Sequence, residues 1–205
     1  MNQFMPFKII VATANSGKIR EIQALLRELD IELISLLDMP TPPQIEESGT
    51  TFEENALKKA QTLATATGMV ALADDSGLCV DALGGRPGVH SARYGGLDAS
   101  DEQKCLLLLE QLRGIPDHLR SAQFVCVMAL VTPEGDEYIF RGECKGFITH
   151  QLRGNQGFGY DPIFYYPGEG RTFAEMDSVS KNRVSHRGRA LERVVRFLRS
   201  LPRKS

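Results

Sequence analysis

The chain has 205 residues, of which 42% are hydrophobic and 24% charged, and a formal net charge of -2. That size suits one domain able to bury roughly 70% of its unfolded surface, and the charge balance gives no bulk attraction to nucleic acid or to an anionic membrane. Cys79, Cys105, Cys126 and Cys144 form no C-x-x-C pair, so they read as reduced thiols, not as a disulfide framework or a zinc site.

No basic, apolar-cored leader opens the sequence, and the longest apolar runs, such as residues 124–131, are too short to span a bilayer. The expectation is a cytoplasmic protein with no membrane partner.

Residues 7–12 read as a buried strand, and Thr13-Ala14-Asn15-Ser16-Gly17-Lys18 as the turn after it. Ile19, Ile22, Leu25, Leu26 and Leu29 recur at helical spacing, predicting a helix to about residue 30 with Asn15 or Ser16 as N-cap. Lys18 then falls in the first helical turn, where the macrodipole disfavours a cation. A bound anion would account for it, because backbone N–H groups and the lysine would converge there. The turn is not a Walker A loop, since Ala12 and Ile19 stand where that motif needs Gly and Ser or Thr.

Residues 31–37 predict a second strand, followed by a Pro-rich loop and Glu46-Glu47-Ser48-Gly49. Thr51 and Glu54 have the spacing of a capping box. The helix they open runs to Gly68 and places Asn55 and Lys59 on one face, either a solvated stripe or a face turned to the same cleft as Asp75.

Ala73-Asp74-Asp75-Ser76-Gly77 follows an apolar run and is expected to end a buried strand. Burying an uncompensated carboxylate costs several kcal/mol. Side chains alternate along extended chain, so one Asp is free to face a site while backbone donors hold the other. A divalent cation with oxygen ligands is an economical neighbour, although Asp-Ser-Gly also suits a plain turn.

A glycine-rich stretch over residues 84–96 reads as a surface loop, and Asp98 or Ser100 caps a helix ending at Gly114. Residues 122–131 and 138–147 predict a hairpin. In Gly157-Phe158-Gly159-Tyr160-Asp161-Pro162 an aromatic sits between glycines on a loop, a platform suited to a planar base. Ser185 caps a final helix, so His186 and Arg187 lie at its electrostatically disfavoured start. With Lys181 they suggest a polyanionic ligand with acceptor atoms to recognise.

In order, these segments resemble the inosine triphosphate pyrophosphatase family of non-standard purine nucleoside triphosphatases. The resemblance rests on Thr13 to Lys18, the Glu46 to Ala56 stretch, Ala73 to Leu78, Pro87-Gly88 with Ser91-Ala92-Arg93-Tyr94, residues 157–164 and Ser185 to Gly188. Ala14 and Gln156 depart from the usual Gly or Ser and Gly.

The resemblance implies one α/β domain over residues 1–205, two-lobed, with a long mixed β-sheet flanked by helices and an active-site cleft between the lobes. It implies a homodimer without direct nucleic acid binding that hydrolyses ITP, dITP and XTP to the monophosphate and pyrophosphate with Mg²⁺. Asp75 is then the proton acceptor and, with Glu46, a metal ligand. Thr13, Ala14, Asn15, Ser16, Gly17, Lys18, Lys59 and Ser76 are then substrate contacts, with Lys18, the Asn15 to Gly17 backbone and Lys59 on the triphosphate. Phe158, Gly159, Tyr160, Asp161, Lys181, His186 and Arg187 serve the base. A binding regulator without turnover and a pyrophosphatase for modified pyrimidine nucleotides are the alternatives.

Overall fold

The computed structural model describes residues 7–201 except 28, 30, 46 and 47. Among the described residues, seven strands form one mixed sheet in the order β2-β1-β3-β4-β5-β6-β7. They are β1 (Phe7–Val11), β2 (Ile31–Ser35), β3 (Val70–Val80), β4 (Ser121–Val131), β5 (Glu137–Ile148), β6 (Phe164–Tyr166) and β7 (Arg171–Thr172). β1 pairs in parallel with both β2 and β3, whereas β5–β6 and β6–β7 are antiparallel. The helices are α1 (Ser16–Leu26), α2 (Phe52–Thr67), α3 (Asp101–Gln111), α4 (Ser178–Val184) and α5 (His186–Ser200). No helix among the described residues is long and apolar enough to cross a membrane.

The chain divides into two compact units, one of Met1–Asp75, Val127–Arg141 and Gly188–Ser205, the other of Ser76–Cys126 and Gly142–Arg187. In the first, the sequence signals act as expected. Asn15 caps α1, its side chain accepting from the Lys18 N–H at 3.0 Å. α1 ends at Leu26, short of the predicted boundary near residue 30. Thr51 and Glu54 form the reciprocal capping box of α2, and Gly68 closes that helix in the left-handed conformation. Phe197 of α5 packs on Tyr138 and Phe140 of β5, with ring centroids 4.3 and 5.4 Å apart.

The second unit is built around buried Leu78, Val80, Cys105, Leu108, Phe124, Phe164 and Phe173. Burying each such side chain contributes about 1.5–3 kcal/mol. Ser100, rather than Asp98, caps α3. Arg120 is 2% exposed, and its guanidinium donates to the carbonyls of Ile148, Leu112 and Thr149 at 2.8, 2.9 and 2.7 Å. That clamp ties the end of α3 to the end of β5. None of the four cysteines is in a disulfide; Cys105 is buried, which together with nearby Asp101 and Asp161 pushes its pKa up to about 12.

Candidate active site

β3 runs unbroken from Val70 to Val80, so Asp74 and Asp75 lie in mid-strand and not at the strand end expected from Asp-Ser-Gly. The physical reason is charge compensation from helices distant in sequence. The carboxylate of Asp74, fully buried, pairs with the ammonium of Lys18. A lysine thus holds the second carboxylate. Asp75, 6% exposed, is gripped by Lys59 of α2 at 2.7 Å on Oδ1. With both charges answered, the backbone has no need to turn out toward solvent.

Lys59 Nζ also lies 3.3 Å from the Asp74 carbonyl, so one buried ammonium spans both aspartates. Asn55, one helical turn before Lys59, donates to Asp75 Oδ2 at 3.3 Å. Burial raises the Asp75 pKa above the ordinary 3.8, against the lowering effect of Lys59 and, more weakly, Lys18; neighbouring Asp74 adds to the rise. A carboxyl group so placed takes up a proton more readily than a solvated one, as a proton acceptor requires.

The turn beside this cluster is formed by Thr13, buried, and Ala14, Asn15 and Ser16, all exposed, with buried Gly17 at the start of α1. The Asn15 N–H donates to Thr13 Oγ1 at 3.2 Å, which shapes the turn. Lys18, Lys59, Asp74 and Asp75 thus come together with the N-terminus of α1. Glu46 lies outside the described residues. Among the described residues no group of three or more His, Cys, Asp or Glu is arranged to hold a metal ion.

The second predicted group assembles around Asp161. Its Oδ2 accepts from the Phe158 N–H at 2.9 Å and from Lys181 Nζ at 2.5 Å, and the carboxylate is 2% exposed. Lys181 in turn lies over the Phe158 ring, 4.6 Å from its centroid, and the Arg187 guanidinium lies over it at 5.6 Å. Phe158 is therefore a platform bearing two cations, with Asp161 as its fastener. Arg187 donates to Ser76 Oγ at 2.7 Å.

His186 is 4% exposed and its imidazole stacks flat on Phe124, with centroids 4.5 Å apart. Tyr160, 4% exposed, donates its hydroxyl to the Ser91 carbonyl at 3.0 Å, and burial pushes its pKa up. The Gly159 N–H donates to Asp101 Oδ2 of α3 at 2.7 Å. These ties fix the loop that carries Phe158.

Three residues outside the expected site set hold it together. Asp74 answers Lys18, Asn55 contacts Asp75, and Ser91 anchors Tyr160. The four-residue spacing of Asn55 and Lys59 was the signal for the second.

Comparison with known proteins gives a consistent picture. The Ham1 family profile matches residues 9–197. A dITP/XTP pyrophosphatase of Geobacter sulfurreducens is 54% identical over 184 residues, covering 90% of this chain and 92% of the relative. One from Geobacillus kaustophilus is 46% identical over 187 residues, 91% of this chain and 92% of its own. Among solved structures, a HAM1 protein from Coxiella burnetii superposes with a TM-score of 0.87 at 46% identity, covering 95% of this chain and all of its own.

Proposed function

Because this chain belongs to the Ham1 family, we propose that it hydrolyses the non-canonical purine nucleoside triphosphates dITP, XTP and ITP to the monophosphate and pyrophosphate. The observation that carries the reading is the Asp75 carboxylate, buried in mid-strand yet held by Lys59 and Asn55. A carboxylate kept dry, oriented and readily protonated is what abstraction of a proton from an attacking water needs. Relatives at about half identity carry the name dITP/XTP pyrophosphatase, which supports the same substrate class.

In this reading Asp75 accepts the proton of the water that attacks the α-phosphorus, and pyrophosphate leaves. Lys18 and the turn from Thr13 to Gly17, at the N-terminus of α1, hold the triphosphate, where the helix dipole favours negative charge. Lys59 adds positive charge and keeps Asp75 in place. Asp75, with Glu46, would hold Mg²⁺, since a carboxylate is the hard oxygen donor that ion takes. When bound, the ion neutralises the triphosphate and acidifies the attacking water.

Phe158 stacks on the base, with Lys181, Arg187 and His186 as donors to a 6-oxo group. Adenine presents a 6-amino donor there, so donor faces donor, a mismatch that costs about 1–3 kcal/mol per contact. Residues 1–205 act as one catalytic domain, taken to be cytoplasmic and homodimeric as the family resemblance supports.

A turnover panel of dITP, XTP, ITP, GTP and ATP with Mg²⁺, read as pyrophosphate release, tests the assignment. Rates on dITP and XTP at least about 100-fold above ATP support it, matching one or two mismatched contacts at the base. Comparable rates on ATP contradict it.

A further inference from the structure

Asn55 makes more contacts than its place near the start of α2 requires. It is 1% exposed. Its Oδ1 accepts from the Gly49 N–H at 2.8 Å, and its Nδ2 donates to the Gly49 carbonyl at 3.4 Å and to Asp75 Oδ2 at 3.3 Å. The partners fix which way the amide points, since a flipped amide would set oxygen against the carboxylate and NH₂ against an N–H. Gly49 is held so closely that a Cβ there would come within 2.7 Å of Asn55 Oδ1.

Lys59, four residues on, meets the other oxygen of the same carboxylate at 2.7 Å. One helix face thus presents two donors to the two oxygens of Asp75. Each oxygen has a second lone pair for a water proton or a cation.

We propose that Asn55 is a positioning residue for the hydrolysis: it sets the plane of the Asp75 carboxylate from the Oδ2 side and ties that plane to the backbone at Gly49. This rests on the reading of Asp75 as the proton acceptor. Lys59 alone does not define the plane, because an ammonium is a point charge with rotatable donors. Only an amide of this length serves both partners. Aspartate lacks the donor, alanine lacks both groups, and glutamine is one methylene too long. A proton acceptor displaced by about 1 Å loses about 100-fold in rate.

Three variants separate positioning from mere stability. Asn55→Asp keeps an acceptor for the Gly49 N–H but removes the donor to Asp75. Asn55→Ala removes both. Leu63→Ala truncates a fully buried side chain on the same helix and serves as the stability control. With dITP as substrate, both Asn55 variants are expected to lose about 10–100-fold in kcat with KM within about threefold. Leu63→Ala is expected to lower Tm at least as far with kcat within about twofold of the parent. A crystal structure of Asn55→Asp is expected to show the Asp75 carboxylate rotated.

The inference is overturned if Asn55→Asp keeps kcat within about twofold, if its loss is no greater than that of Leu63→Ala, or if Asp75 is unmoved in the crystal. Asp75→Asn is measured alongside. Full activity in Asp75→Asn would remove the reading of Asp75 itself, whereas an inactive Asp75→Asn beside a fully active Asn55→Asp would remove only the positioning role of Asn55.

Discussion

Lys59 and Asp75 form a buried ion pair, 2.7 Å between Nζ and Oδ1, with the two side chains 7% and 8% exposed. Such a pair gives little net stability as a unit, but removing one member leaves the other charge buried and unanswered. Lys59→Met is therefore expected to cost about 3–5 kcal/mol of folding stability, measured by chemical denaturation. Because Lys59 is the main influence lowering the Asp75 pKa against burial, its loss raises that pKa further. The acid limb of the kcat/KM profile then moves to higher pH in any variant protein that remains folded. A limb that stays put or moves down contradicts the assignment.

Gly157 has φ of +75°, and a Cβ there would come within 2.0 Å of Asp161 Oδ2. That oxygen fastens both the Phe158 N–H and Lys181. Gly157→Ala is expected to displace the platform and to cost about 1–3 kcal/mol through the strained backbone. KM for dITP should rise about tenfold or more, with a smaller change in kcat. An unchanged KM contradicts the role of Asp161 as fastener.

Glu54 caps α2 by accepting first from the Thr50 N–H and then from the Thr50 hydroxyl and the Thr51 N–H, which hold its pKa below the ordinary 4.5. A carboxylate with a lowered folded pKa contributes stability above its unfolded value and loses it as pH falls through the folded one. Glu54→Ala is expected to lower Tm at pH 7, and the gap to the parent should close as pH falls below 4.5 through the lowered folded pKa. A gap constant across a calorimetric pH series contradicts this.

Much of this architecture is legible in the sequence because the local signals are strong. Thr51 with Glu54, Ser100, and Gly68 mark helix ends by their own chemistry, and the apolar runs give the central strands. The course of β3 is not legible, because Asp74-Asp75-Ser76-Gly77 reads locally as a turn. Only the arrival of Lys18 and Lys59 from separate helices makes extended chain tolerable there. Asp161 is similar. Its expected place beside the base says nothing of Lys181, which reaches it from twenty residues on. Periodicity reports which face a residue occupies, and says nothing of which distant charge will meet it.

Single-turnover hydrolysis of dITP by Asp75→Asn, paired with a nucleotide-binding measurement on the same protein, tests the central claim most directly. Asparagine preserves the shape and cannot accept the proton. The expected loss is about 10²–10⁴-fold in the chemical step, with binding of dITP still measurable. Turnover within a few-fold of the parent would contradict it.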